Sequence, residues 1–378
     1  MKKQISGYPR FIGNFEKGFI KYINARYGVI YANGTTALEA ILFSLNLKKN
    51  DEIIVPSQTF FSTVTPILHT KAKIKFVDID YDDLNISIAN LKKKINKKTK
   101  AVIIVHLYGM PVDMQEIMKL KNKYKFYLIE DCSHAHGAKY MNKSVGTFGD
   151  ASFFSFQGNK PIAAGEAGIA ITNRRDIFEI LQSYGHFGRY SGKYINKKLK
   201  MIEFTGFGKK SRPNSLGIIL AKNDLRFLNF YNSYCEKNRK KLLPLLKENK
   251  ILRTTFKKDK SEMGGFYRGF PIYIRKNYLD KITDEVFENF VVRLRSINIK
   301  TNYFKNISNH NEPLLKYENF LEYFFENKEL APKPNHDLNN TNNLQNKLCF
   351  IDLQQNLSFI KIFKFRQELK KLDLILKN

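Results

Sequence analysis

The chain has 378 residues, of which 43% are hydrophobic and 26% charged. That is enough apolar material for a sizeable core, and it excludes a disordered or collagen-like chain. The net charge of +29 comes from 64 Lys and Arg against 35 acidic residues. Lysine dominates and is spread along the chain, and phosphate readers favour arginine forks, so the charge reads as a solvated lysine-rich surface rather than a nucleic-acid footprint.

In chain order, short apolar runs alternate with helical patterns. Asp51 to Val55 ends at Pro56, Ile74 to Val77 ends in Asp78, Ala101 to Val105 ends in His106, and Phe126 to Ile129 ends in Glu130-Asp131. Continuous apolar runs of this length are expected of parallel strands covered on both faces. Helices are predicted between them, at Thr36–Leu45 and Met114–Lys121. The alternation predicts an α/β fold with a mainly parallel sheet, and polar and aromatic residues gather after the strand ends, where such sheets bind ligands. After about residue 230 the texture changes: a Lys- and Leu-rich helix over 231–250, a strand within Gly264–Ile274, a helix over Asp284–Ile297, and an Asn-rich loop over 335–345. This predicts a large domain over 1–230 and a smaller α+β domain over 231–378. No apolar run approaches the roughly 18 residues of a membrane helix. The basic start Met1-Lys2-Lys3 leads into Gln4, Ser6 and Pro9 rather than an apolar region. Cys132, Cys235 and Cys349 have neither metal nor disulfide spacing, so a soluble cytoplasmic protein in a reducing compartment is expected.

Three stretches carry chemistry. Asn33-Gly34-Thr35-Thr36-Ala37-Leu38 joins a tight turn and two hydroxyls to a helix start, where unpaired N–H groups suit a phosphate; an ordinary Thr cap would look the same. Glu130-Asp131-Cys132-Ser133-His134-Ala135-His136-Gly137 ends a buried strand in a carboxylate, which needs a cationic partner such as a protonated pyridine nitrogen. A metal site from Asp131, His134 and His136 ranks below that, because the histidine spacing is not i, i+4 and no cysteine cluster assists. Ser152-Phe153-Phe154-Ser155-Phe156-Gln157-Gly158-Asn159-Lys160 sets one lysine among small and polar residues after an aromatic strand, where a lowered pKa would suit covalent chemistry.

Together with Val105-His106-Leu107-Tyr108-Gly109, Val145 to Asp150 and Thr205-Gly206-Phe207-Gly208, these motifs resemble the DegT/DnrJ/EryC/StrS sugar aminotransferases, densest from Tyr27 to Thr172. The resemblance implies a fold-type-I enzyme using pyridoxal phosphate, with the pyridoxamine form as intermediate. It implies that Lys160 matches the Schiff-base lysine, Asp131 the partner of the pyridine nitrogen, and Phe60 the stacking aromatic. His134 falls near the cofactor's phenolic oxygen, and Gly34, Thr35, Thr36 and Ser155 match the phosphate turn and binders. Lys210 falls where many members have an Asn that reaches the neighbouring subunit's phosphate, and Ala167 replaces a family glycine. A homodimer with shared sites, ping-pong kinetics, and glutamate or glutamine as donor follow from the same likeness, with a nucleotide-linked keto sugar, a cyclitol or a small keto phosphate as acceptor. The Cys132-Ser133-His134 and Thr205 to Arg212 stretches look more like the cyclitol branch. Family dehydratases carry His in place of the lysine; Lys160 is present.

Overall fold

A computed structural model describes residues 10–186, 189, 196–255, 260–303, 308–312, 315, 321, 325 and 337–374. Helix α1 (Arg10–Ile23) leads into β1 (Tyr27–Tyr31), α2 (Gly34–Ser44), β2 (Glu52–Pro56), α3 (Thr65–Leu68) and β3 (Lys73–Val77). Then come α4 (Ile88–Lys94), β4 (Thr99–Val105), α5 (Met114–Tyr124), β5 (Tyr127–Asp131), a hairpin of β6 (Lys139–Tyr140) and β7 (Lys143–Ser144), β8 (Ala151–Ser155) and β9 (Gly168–Thr172). The seven-stranded sheet has the order β1-β9-β8-β5-β4-β2-β3. Strands β3, β2, β4, β5 and β8 pair in parallel, and β9 is antiparallel to both β8 and β1. All strands but β9 therefore point one way. Their carboxyl ends, and the start of β9 at Gly168, share one edge. Residues Val29, Ile53, Val55, Ile103 and Ala170 are buried on one face and Ile54, Val102, Ile104 and Leu128 on the other, which is why these runs are apolar without alternation.

Beyond β9 lie α6 (Arg175–Ser183), α7 (Lys197–Lys200), and α8 (Ser215–Glu248), which is 34 residues long. Helix α8 begins sixteen residues before the predicted 231–250 helix: the Asn214 side chain caps it, and Gly217 is there because a Cβ would stand 2.0 Å from the Ala164 carbonyl oxygen. Its first half packs Ile218, Ala221 and Leu228 with α1, and its second half packs Cys235, Leu242 and Leu246 with a second sheet. Residue 230 thus falls inside one continuous helix.

The second sheet is antiparallel, in the order β10-β12-β14-β13, from β10 (Leu252–Arg253), β12 (Phe270–Ile274), β13 (Thr301–Tyr303) and β14 (Leu348–Ile351). The short β11 (Ser261–Glu262) leaves it to pair with β6. The strand predicted within Gly264–Ile274 is confined to β12, and 264–269 is a turn rich in left-handed residues. Helix α9 (Asp284–Ser296) matches its prediction, and α11 (Phe359–Leu374) covers the far face. Within the predicted Asn-rich loop, positions 335 and 336 lie outside the described residues, and Asn339–Asn343 forms a short helix, α10. Asp78 explains the correction: its carboxylate accepts the N–H groups of Asn340 and Thr341 and the Thr341 hydroxyl, so a strand-end acid caps the helix start. No helix of the described residues is long and apolar enough to cross a membrane.

Candidate active site

The carboxyl edge of the large sheet opens into a cleft of about 590 Å³. At one end is the start of α2. Asn33 Oδ1 accepts both the N–H and the hydroxyl of Thr36, at 2.8 and 2.9 Å. Helix starts leave their first N–H groups without intrahelical partners; Gly34 and Thr35 stand on the cleft wall beside Ser155. Glycine is required twice here. A Cβ on Gly34 would come within 3.0 Å of Ser155 Cβ, and one on Gly168 would come within 2.4 Å of the Gly34 nitrogen. The close approach of backbones forms a cradle suited to an anion. Ala167, by contrast, is fully buried and has no left-handed backbone, so its methyl is accommodated.

Asp131 stands at the end of β5, 4% exposed. Its Oδ2 accepts the Thr63 hydroxyl at 2.8 Å and its Oδ1 accepts the Ser133 N–H at 2.9 Å. Lys160 follows β8 and lies on the same cleft. Burial lowers its pKa to about 7; Asp131 opposes that shift and the positive charge of Arg268 adds to it. Its Nζ is 3.4 Å from the centroid of the Tyr267 ring.

His134 sits between two rings, 5.7 Å from Tyr108 and 4.3 Å from Tyr267. Burial first, then the charges of Lys160 and Arg268, holds its pKa well below 6.5, so the ring is neutral. Its Nδ1 accepts the Tyr108 N–H at 3.4 Å, which leaves the proton on Nε2. Tyr108 has φ of 54°, a left-handed strain that brings its own ring to the cleft, and burial raises its hydroxyl to about 12. Phe60 lines the cleft and is 55% exposed.

Of the residues named from sequence, Gly34, Thr35, Phe60, Asp131, His134, Ser155 and Lys160 share this cleft. Thr36 is not on its wall; it is spent on the Asn33 cap. Lys210 is exposed and also stands outside the cleft of its own chain. The metal set considered from sequence does not assemble. Asp131 is bound to Thr63 and Ser133, and His136 is buried against Phe154 and Phe156. Among the described residues the atoms close enough to share an ion belong to His106, Glu130 and Cys132. Those of His106 and Glu130 are committed to hydrogen bonds. His106 Nδ1 accepts the Val112 N–H, so its Nε2 donates to Glu130 Oε2 at 3.1 Å, and Glu130 also accepts the N–H groups of Gly146, Phe148 and Gly149.

Sequence reasoning missed Thr63, Tyr267, Arg268 and Phe350 on the cleft wall. The run Gly264-Gly265-Phe266-Tyr267-Arg268-Gly269 carried a signal, since three glycines in six residues mark a turn and not a strand.

The fold and the cleft at its strand ends define fold type I of the aminotransferases. The profile of the DegT/DnrJ/EryC1/StrS aminotransferase family matches residues 2–351, and the chain belongs to this family. It is 42% identical over 175 residues to a GDP-perosamine synthase of Escherichia coli O157:H7, covering 46% of this chain and 48% of that one. With a GDP-perosamine synthase of Vibrio cholerae it shares 38% over 229 residues, 58% and 62% of the two chains. The matched segments thus span about half to three-fifths of these curated relatives. A solved E. coli GDP-4-keto-6-deoxy-D-mannose-3-dehydratase with bound hydrated PLP superposes with a TM-score of 0.79, 27% identity, and coverage of 96% and 92%.

Proposed function

We propose that the protein is a pyridoxal-phosphate-dependent aminotransferase. It moves an amino group from glutamate or glutamine to the keto group of a sugar-type acceptor, a nucleotide-linked keto sugar or a cyclitol, in two successive half-reactions. The observation that carries this reading is the placing of an anion cradle, a buried carboxylate and a lysine of lowered pKa on one cleft. The cradle that a Cβ at 168 would fill and the acid of β5 line the same cleft and suit the cofactor's two polar groups. Gly34, Thr35 and Ser155 would hold its phosphate, Asp131 its ring nitrogen, Lys160 its aldehyde carbon, and Phe60 its ring face. When bound, the cofactor supplies an electron sink for the carbon that loses its proton.

The chain's own residues do the rest. The Thr63 hydroxyl and the Ser133 N–H hold the Asp131 carboxylate in place. Lys160 Nζ, poised near neutrality, can take the α-proton of the amino donor and would deliver it to the cofactor's former aldehyde carbon, and a pKa near neutrality is the best position for a general base at ordinary pH. His134 stays neutral and offers an Nε2 proton as a hydrogen-bond donor.

A homodimer is part of the proposal. Leu216, Leu220, Phe227 and Phe230 form an exposed apolar stripe along α8, with Met201 and Phe204 exposed nearby in sequence. A monomer rarely leaves such a surface wet, and Lys210, in the adjoining segment, would reach the cofactor phosphate of the other subunit. Leu220→Glu with Phe227→Glu should yield monomers by light scattering.

A dehydratase reading has one observation in its favour, the likeness to the solved dehydratase. Lys160 separates the two. Borohydride reduction of the cofactor-loaded protein followed by peptide mapping should label Lys160, and a panel of keto sugars with glutamate and glutamine should give aminated product by mass spectrometry. Deoxygenated product without nitrogen gain, or a label on another lysine, overturns the proposal.

A further inference from the structure

Helix α11 is held by its inner face. Phe365, Leu369 and Leu372 are buried in the core that it shares with the second sheet. The Ser358 hydroxyl caps its start by accepting the Lys361 N–H at 3.3 Å. The outer residues take no part in that core, yet they are large and apolar: Phe359, Ile360, Phe363 and Leu374 stand 84%, 64%, 53% and 54% exposed. Ile360, Phe363, Gln367 and Leu374 follow one another at spacings of three, four and seven, so they form one stripe along the helix. At about 100° per residue, Arg366 and Lys370 fall on one side of that stripe and Lys364 on the other, and all three are exposed. We propose that this face docks the protein peripherally on an anionic lipid surface. The apolar side chains enter the acyl boundary, and Lys364, Arg366 and Lys370 reach the headgroup phosphates.

The charge of the face is complementary to such a surface. The two acids of the helix are spent elsewhere: Glu368 is buried and accepts from Arg293 and Lys371, and Asp373 accepts from Asn249 Nδ2. Arg366 meets Glu248 only at 3.8 Å, with both side chains more than half exposed, a pair that water screens. Long basic side chains flanking an apolar stripe can extend to phosphates while their stems cover hydrocarbon. The net charge of +29 draws the whole chain toward an anionic layer, and the stripe decides which face arrives.

Other occupants fit less well. A second copy docked by a two-fold contact would set Lys364, Arg366 and Lys370 against the same cations of its partner. A helix-binding groove must surround its helix, and the inner half of α11 is already covered by the core. A fluid surface needs only the outer half. The attachment is also separate from the cleft. On β14, Cys349 and Ile351 share the core with α11, whereas Phe350 between them lines the cleft on the other face of the sheet. Lipid against α11 therefore leaves the cleft uncovered.

The test uses the full chain and vesicles. Phosphatidylcholine vesicles containing phosphatidylglycerol should carry the protein in a flotation gradient, and vesicles of phosphatidylcholine alone should bind it about tenfold or more weakly. Phe359→Ser with Phe363→Ser should weaken binding to the anionic vesicles about tenfold or more, because apolar burial is lost. Lys364→Gln with Lys370→Gln should weaken it by about the same factor. All four side chains are exposed, so both double variants should keep the wild-type melting temperature within a few degrees. The chain has no tryptophan, so Phe363→Trp introduces a sole reporter. Its emission should move to shorter wavelength on anionic vesicles, while that of Tyr124→Trp, on the exposed side of α5, should stay where it is. Binding undiminished by the two serines, or equal shifts at both reporters, overturns the inference and assigns adsorption to the basic surface as a whole. A protein that ignores the vesicles, but whose higher assembly in light scattering is lost with the two serines, overturns it as well and gives the face to a second copy.

Discussion

The two walls of the cleft are built in different ways. One is the carboxyl edge of the large sheet, where each functional residue follows its own apolar strand by a few positions: Asn33 to Thr35 after β1, Phe60 after β2, Asp131 at the end of β5, Lys160 after β8. The other wall comes from Tyr267 and Arg268 of the turn before β12 and from Phe350 of β14, and its position depends on long-range bonds such as Gly264 to Gly109 and Asn232 to both His136 and Gly265. In the proposed reading the first wall carries the groups that move protons and hold charge. The second shapes what can approach them. Chemistry should therefore fail in large steps when the first wall is altered, and binding in smaller steps when the second is.

The largest effect is expected at Asp131. Asp131→Asn keeps the shape and the Thr63 contact but removes the charge that the proposed reading sets against the cofactor's nitrogen. Losing a fixed charge at the electron sink should cost about 4 kcal/mol in the barrier, or roughly three powers of ten in kcat. Circular dichroism should be unchanged. Activity near that of the wild type would reduce Asp131 to a structural acid.

Two glycines separate the walls more directly. Gly168→Ala pushes a methyl into the Asn33 and Gly34 backbone, and should lose the cofactor on dialysis. Gly265→Ala meets the His134 carbonyl at a φ of 75°, and should retain the cofactor while a substrate KM rises. Equal loss of cofactor in both would show that the walls are one mechanical unit.

A smaller effect concerns pH. The amine of Lys160 is the form that can capture the cofactor's aldehyde. With its pKa lowered to about 7 from 10.5, the amine dominates above neutrality. The capture rate of the cofactor-free protein should rise as pH increases through about 7 and then level off, with no further rise toward 10.5. The same shift acts on stability. Between those two values the unfolded chain binds the extra proton, so the Lys160 contribution makes the cofactor-free fold more stable as pH rises across that window. His134, neutral far below its ordinary range, should add no limb near pH 6.5 to the capture profile.

The first wall was legible in sequence because each residue sits at a fixed short offset from an apolar run, and the run and the turn can both be read locally. Asp131 and Lys160 were found that way, and Gly34, Thr35, Phe60 and Ser155 came from the same motifs. Thr36 was half right: its place at the helix start was read, but its hydroxyl turns back to Asn33. The second wall could not be read because no local pattern states that residues 264–269 lie on residues 134–138. The α8 start was missed because Gly217 and the polar run Lys222-Asn223-Asp224 break the expected helical texture. The Asn-rich stretch looked like a loop because its cap comes from Asp78, more than 250 positions away.

That stretch supplies the smallest predicted effect, and it lies where both sheets' connections meet. Thr341 Oγ1 donates to Asp78 Oδ1 at 2.7 Å, so in its close contact with Ser57 Oγ it must be the acceptor and Ser57 the donor. Ser57 opens the segment that carries Phe60, and Asn309 Nδ2 holds that segment again through the carbonyls of Ser57 and Thr59. Phe60 itself is half in solvent, so its ring is positioned by this backbone latch more than by burial. Thr341→Val keeps the shape and removes both hydroxyl bonds. Asp78 retains the N–H groups of Ile79, Asn340 and Thr341, so the carboxylate stays satisfied, and the loss should be about 1–2 kcal/mol of stability rather than collapse. If the latch aims Phe60, cofactor affinity should fall a few-fold alongside the melting temperature, and Thr341→Ser should restore both. A drop in melting temperature with cofactor affinity unchanged would make the Asn-rich helix a brace for the fold and leave Phe60 to find its own place.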